Sequence, residues 1–345
     1  VPSAADDIRA AIAVEGGPIS FRQFMELALY GPHGFYSGDT NVGRAGRRGD
    51  FITSPEVGPL FGTVVARMID NEWRRMDKPS SFTIVDAGAG PGTLARSIFS
   101  AQPECLDAMT YIAVETSARQ REMHPDFVVS VGEMPTTISN GIVIANELLD
   151  NLPFELWVFD DGWRQAYVDA AGSELVEVLK RGDAPPLFPT SVPHGTRLPW
   201  QNAAQDWLQK TFDSLSVGSI VVFDYCTAIT AQLVTQSYRD WLRTYVAHNR
   251  GAHYLRQPGE QDITVQVLID QLRVVREPDA VRTQAQFLDR WGIYDLVAEG
   301  KRVWEENASQ PNLEAMRMRS RVSEAEALMD PHGLGAFTVV EWVKN

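Results

Sequence analysis

Residues 84–94 read IVDAGAGPGTL. Two β-branched residues precede an acid, Asp86, after which glycines stand at 88, 90 and 92 and Thr93-Leu94 open a helix-like stretch. A β-rich run that breaks into alternate glycines and resumes as a helix predicts a strand, a tight turn and a helix N-terminus. In such a junction bare backbone can lie directly against a ligand. The neighbouring sequence repeats this rhythm. After Pro79, FTIVDAG is followed by YIAVE, FVVSV, GIVIANE and GSIVVFDY, with helical stretches between them. Near-continuous apolar strands alternating with helices predict an α/β fold whose mostly parallel sheet is covered on both faces.

On either side the pattern differs. Ser20 is placed to cap FRQFMELALYG, and Ser54, Pro55 and Glu56 read as cap, first-turn proline and first-turn acid of a second helix. In that helix Val57, Leu60, Phe61, Val64, Val65, Met68 and Ile69 form one apolar stripe. The glycine-rich segment 31–56 is longer than a plain connector needs and reads as mobile or functional. Residues 154–180 alternate polar and apolar around Asp161-Gly162, as in an inserted hairpin or meander. The Pro-rich stretch 184–199 reads as a linker, 230–330 as mostly helical, and GAFTVVEWVK (335–344) as a closing strand. The expected organisation is an N-terminal helical and loop segment, 1–78, and a main domain, 79–345, with insertions at about 154–200 and 230–330.

With 345 residues, 44% hydrophobic and 22% charged, the composition is that of an ordinary globular chain. A net charge of −14 repels a nucleic-acid backbone and attracts a cationic partner, so no nucleic-acid partner is expected. Two cysteines make no disulfide framework and fit a reducing compartment. No apolar run approaches the roughly 20 residues that span a bilayer, and the opening VPSAADDIRAAIAVEGG reads as an acidic helix rather than a signal peptide. A cytoplasmic location without membrane insertion is the expectation. Histidines and cysteines show no metal-ligand spacing, so no metal is expected. No nucleophile elbow or phosphate-loop lysine motif occurs, which disfavours hydrolase and kinase chemistry.

Two ligands suit the glycine turn. A dinucleotide fingerprint needs glycine or alanine where Thr93 stands, and Asp86 would face a pyrophosphate with like charge. S-adenosylmethionine carries an ammonium and a sulfonium instead, so Asp86 with Gly88, Gly90, Gly92 and Thr93 favours that cofactor. Glu115, ending the next strand, is placed to accept from both ribose hydroxyls, and Glu133, past the third, is a candidate for the adenine edge. The fourth strand ends in NELLDNLPF (146–154). Ligands in open α/β sheets lie beyond the strands' carboxyl ends, so Asn146 and Glu147 are candidates to face the reacting centre. If a helical turn follows, Asp150 shares a face with Glu147, and the two acids suit a cationic or hydrogen-bond-donating nucleophile.

The segments GDFITSPEVGPLFG (49–62), DAGAGPGTL, IANELLDNLPF, PGEQDIT (258–264) and TQAQFLDRWGI (283–293) resemble, in order, those of the MidA-like methyltransferases, a family whose mitochondrial member methylates an arginine of a partner protein. The resemblance implies a class I methyltransferase (Rossmann-like) sheet with an N-terminal segment and a helical insertion. It implies that Asp50, Thr53, Ser54 and Glu56 belong to a segment closing over the cofactor. That family commonly has an arginine at the position of Pro91 and two aromatic residues at Leu148 and Leu149. Glu260, Asp262 and Thr264 read either as a substrate-side lip or as a helix start capped by Asp262. The function expected is S-adenosylmethionine-dependent methylation of a protein arginine, with Glu147 and Asp150 orienting the guanidinium. The alternatives are a small-molecule O- or N-methyltransferase, and a cofactor-binding assembly factor without turnover.

Overall fold

The computed structural model describes residues 2–37, 53–246 and 249–345. The apolar runs around the glycine turn form one seven-stranded sheet: Phe82–Ala87 (β1), Met109–Val114 (β2), Val129–Val131 (β3), Ile138–Asn146 (β4), Leu215–Asp224 (β5), Ala280–Thr283 (β6) and Thr338–Lys344 (β7). Their order is β6-β7-β5-β4-β1-β2-β3. The first five pair in parallel, whereas β7 runs antiparallel to β5 and to β6. From β1 the chain builds outward through β2 and β3, then returns to lay β4 on the other side of β1. The topological switch point therefore lies between β1 and β4, the place where open α/β sheets bind ligands beyond the strands' carboxyl ends. Register brings Asp86 beside Ile144, and Asn146 beside Phe223, along that edge.

The closing strand over 335–344 is present, but it is not the edge of the sheet. Its outer side is paired by β6, a four-residue strand that no strong apolar run announces. The sheet's core includes Ile84, Ile142, Ile144, Val221 and Phe223, with Leu60, Phe61, Val64, Val65, Met68 and Ile69 from the predicted stripe. That stripe belongs to the helix Pro59–Arg75, which is separate from the short helix Ser54–Val57. Pro59 disfavours helical backbone at Gly58 and breaks the expected single helix. A Cβ at Gly58 would lie 2.3 Å from Cδ of Glu324, whose Oε2 accepts from the Leu60 amide at 2.8 Å. A buried carboxylate from the helix Leu313–Met329 thus satisfies one of the unbonded amides of a helix start.

Contacts divide the chain into two units. Ile52–Glu147, Thr211–Asp224 and Pro278–Asn345 form the unit that contains the sheet; Val1–Phe51, Leu148–Lys210 and Tyr225–Glu277 form the other. This differs from the expected boundary at residue 78. In the second unit the helices Ala4–Glu15 and Phe21–Tyr30 frame a strand, Ile19–Ser20, that pairs with Trp163–Ala171 of the meander. Ser20 caps its helix by accepting from the Gln23 amide at 3.2 Å. The meander comprises Glu155–Phe159, Trp163–Ala171 and Glu174–Arg181, extended by Arg197–Trp200 from the stretch read as a linker. Pro199 is tolerated there because that strand pairs on one side only. The core unites Phe21, Phe24, Phe35, Phe154 and Trp241.

The mostly helical expectation for 230–330 holds for Gln284–Arg290, Ile293–Asn307 and Leu313–Met329, and is corrected before them. Leu242–Val246 and Asp262–Val265 are antiparallel strands, short enough to leave little periodicity to read. Asp262 accordingly caps no helix. It is buried at a strand start and accepts from Tyr36 Oη at 3.1 Å and Asn151 Nδ2 at 3.0 Å. Thr264 lies in the same strand, and Glu260 is exposed just before it. Among the described residues no helix is long and apolar enough to cross a membrane.

Candidate active site

At the C-terminal end of β1, Gly88, Gly90 and Gly92 all take positive φ, at 74°, 54° and 81°. Such backbone strains any residue with a Cβ, which accounts for glycine at each position. The Gly88 and Ala89 amides both donate to the Val114 carbonyl at 2.9 Å, tying the turn to the end of β2. The Gly90 amide donates to Glu115 Oε2 at 3.0 Å, and the Ser117 amide to Glu115 Oε1 at 2.8 Å. Glu115 thus bridges the turns after β1 and β2. Each carboxylate oxygen has two lone pairs, so acceptor capacity remains for a further donor. Thr93 begins the helix Thr93–Ser100, and its hydroxyl donates to Glu56 Oε1 at 2.7 Å. Glu56, expected in a closing segment, therefore meets the helix that follows the glycines.

Asp86 lies beneath this turn, 3% exposed, and accepts from Tyr111 Oη at 2.8 Å. Burial pushes its carboxyl up to about 7, the Tyr111 hydroxyl opposes that shift, and the charge of Glu115 adds to it. The sequence did not reveal this pairing, because Tyr111 lies in β2, 25 residues from Asp86.

Across the switch point, Glu147 follows β4 with φ 52°, a left-handed conformation that is uncommon and costly for a residue with a side chain. Its amide donates to the Phe223 carbonyl at 2.8 Å, which holds the bend against β5. Asn146 Nδ2 donates to Glu147 Oε1 at 3.2 Å, and the Ser54 backbone amide also reaches the carboxyl. Burial pushes the Glu147 carboxyl up to about 8, with repulsion from Asp224 adding to it and these two donors only easing it. No lysine or arginine forms an ion pair with Glu147 among the described residues. Beside it, the buried Oδ1 of Asn146 has no hydrogen-bond partner.

The helical turn that would put Glu147 and Asp150 on one face does not form, because left-handed Glu147 interrupts it; a 3₁₀ turn begins only at Leu149. Asp150 is buried and belongs to the other unit. Nor is Ser54 a cap. Thr53 occupies that position, buried and without a capping side-chain bond, while Ser54 Oγ donates to Gln284 Oε1 at 2.9 Å. Glu133 is exposed past the end of β3, and Asp50 lies outside the described residues. Sequence reading also missed Gln120, His124 and Asp224, which reach the turns through the fold rather than through any local motif.

The residues fit an adenosyl cofactor on two structural grounds. The glycine turn presents bare backbone at the end of β1, and an unsatisfied acceptor, Asn146 Oδ1, waits at the end of β4. Fold and site together define a class I S-adenosylmethionine-dependent methyltransferase. The family model described as "Putative S-adenosyl-L-methionine-dependent methyltransferase" matches residues 64–285. The chain belongs to this family, that of the MidA-like enzymes.

Among curated proteins it is similar to the mitochondrial protein arginine methyltransferase NDUFAF7 homolog of Drosophila melanogaster, at 30% identity over 53% of this chain and 50% of that protein. It is also similar to mitochondrial NDUFAF7 of Xenopus laevis, at 28% identity over 44% and 42%. The chain spans about half the length of the curated relatives it matches. A crystal structure from Burkholderia thailandensis, described as a "likely methyl transferase" bound to S-adenosyl-homocysteine, superposes with TM-score 0.80 at 24% identity, covering 99% of this chain and 91% of that one. The relatives are named as mitochondrial, which overturns the cytoplasmic expectation. Cysteine content reports only whether thiols stay reduced, and does not separate one reducing compartment from another.

Proposed function

We propose that this chain transfers a methyl group from S-adenosylmethionine to an arginine side chain of a partner protein, and that Glu147 is the residue that receives the guanidinium. The observation that carries this reading is the state of Glu147: a strained, half-buried acid at the switch point, held up to about 8 by burial and by Asp224, with no cation paired to it among the described residues. An incoming guanidinium, which stays protonated at any working pH, would draw off the carboxyl proton and supply the missing positive charge. S-adenosylmethionine supplies an electrophilic methyl carbon on a sulfonium. The chain's own task is alignment and charge placement. Asn146 orients Glu147 through Nδ2, while its Oδ1 remains open to one further donor. Methylation of a guanidinium nitrogen releases a proton, and we assign it to the Glu147 carboxylate, which gave up its own proton when the guanidinium bound.

For the cofactor we assign Gly88, Gly90, Gly92 and Thr93 to the backbone cradle, Glu115 to the ribose hydroxyls, Glu133 to the adenine edge, and Thr53, Ser54 and Glu56 to the covering segment. We assign Asp86, which accepts from Tyr111 Oη, to the ammonium group of the cofactor. The names of the curated relatives support the arginine acceptor.

The test incubates purified protein with methyl-labelled cofactor and a mitochondrial protein extract, then maps the label by mass spectrometry. Label on arginine that is lost with Glu147→Gln supports the reading. Label in small molecules alone, or no turnover despite cofactor binding, refutes it in favour of a metabolite methyltransferase or an assembly factor respectively.

A further inference from the structure

The glycine turn is gripped by a histidine that no motif announces. His124, in the segment between β2 and β3, places Nε2 2.8 Å from the Gly90 carbonyl oxygen and Nδ1 2.8 Å from Ser130 Oγ. A carbonyl can only accept, so Nε2 carries the ring hydrogen and Nδ1 accepts from the Ser130 hydroxyl. The Gly90 carbonyl thus fixes the tautomer, and the bond from Ser130 in β3 holds the ring's orientation. Glu115 holds the amide on the other side of the same residue. The two peptide planes flanking the Gly90 Cα are thus each fixed by a side chain from the segment that follows β2, and φ and ψ at Gly90 are set together. The same segment presses on the neighbouring turn residue. A Cβ at Gly92 would lie 3.1 Å from Pro125 Cδ and 3.4 Å from His124 Cδ2.

We infer that His124, oriented by Ser130, is a positioning residue for the cofactor: it holds the glycine turn in its binding conformation before the cofactor arrives. The inference rests on the cofactor assignment above. A turn with three left-handed glycines at alternate positions has many alternative conformations, and holding one of them in advance lowers the entropic cost of binding. Loss of the histidine leaves the contacts to the ligand in place but lets the turn wander.

The experiment measures S-adenosylhomocysteine affinity by calorimetry for wild type, His124→Phe, His124→Gln and Ser130→Ala, with a melting curve for each. His124→Phe keeps a ring but loses both hydrogen bonds, and should weaken binding roughly fivefold, the scale of one neutral hydrogen bond. His124→Gln, whose amide can donate to the Gly90 carbonyl, should recover most of that affinity. Ser130→Ala removes the bond that orients the ring and should fall between wild type and His124→Phe. In turnover assays the cofactor KM should rise while kcat at saturation holds. Wild-type affinity in both His124→Phe and Ser130→Ala overturns the inference, as does a lowered melting temperature without any change in affinity. If wild type itself binds no adenosyl ligand, the cofactor assignment falls, and this role falls with it.

Discussion

Replacing Glu147 by glutamine tests the site without a substrate. In the folded protein the carboxyl stays protonated up to about pH 8, against an ordinary value of 4.5. Between those limits the folded state holds one proton that the unfolded state has lost, so stability falls as pH rises, by about 1.4 kcal/mol for each pH unit. Below pH 4.5 both states are protonated, and above about 8 neither is, so the slope vanishes at both ends. Glutamine mimics the protonated carboxyl and does not titrate. From pH 5.5 to 7.5 wild type should therefore lose about 3 kcal/mol relative to Glu147→Gln, an upper figure because the side chain is only partly buried. Asp86, raised to about 7, contributes a slope of the same sign in both proteins and cancels in the difference. Melting temperatures measured across this pH range on the two proteins should converge near pH 5 and separate steadily above it, the variant being the more stable. Parallel curves would mean that the carboxyl is solvated, and the argument for a cation-seeking acid would collapse.

Gly90→Val should abolish the thermal stabilisation by S-adenosylhomocysteine, since the residue sits at φ 54° and its Cβ would come 3.2 Å from Gln120 Oε1; a normal ligand-induced shift counts against the cradle. Glu115→Ala removes the bridge from Gly90 to Ser117 as well as the assigned ribose acceptor, and should weaken cofactor binding by about 1.5–3 kcal/mol. Calorimetry reporting unchanged affinity would reduce Glu115 to a purely local tie. Glu324→Ala leaves the Leu60 amide unbonded at a buried helix start and should cost about 1 kcal/mol of stability, read by urea unfolding, with cofactor affinity unaltered.

What the sequence determined on its own follows from periodicity and from residues close together in the chain. Apolar runs separated by helices dictate a parallel sheet, because strands apolar on both faces need cover on both. DAGAGPGT dictates a left-handed turn at the end of the first of them, because backbone at positive φ selects glycine. N-E at the end of GIVIANE places an acid just past the carboxyl end of its strand. Other features depend on residues brought together from far along the chain, and no local pattern encodes them. Ser54 looked like a cap and instead meets Gln284, 230 residues on. Glu147 and Asp150 looked like a pair and are separated by a left-handed bend that β5 holds in place. His124 and Glu115 converge on Gly90 only because β2 and β3 stack beside β1. The sequence carries the chemistry of each strand end, but the proton affinity of Glu147 is a property of its surroundings. Only the tertiary structure, by half-burying that acid and bringing Asp224 near it, raises its hold on a proton.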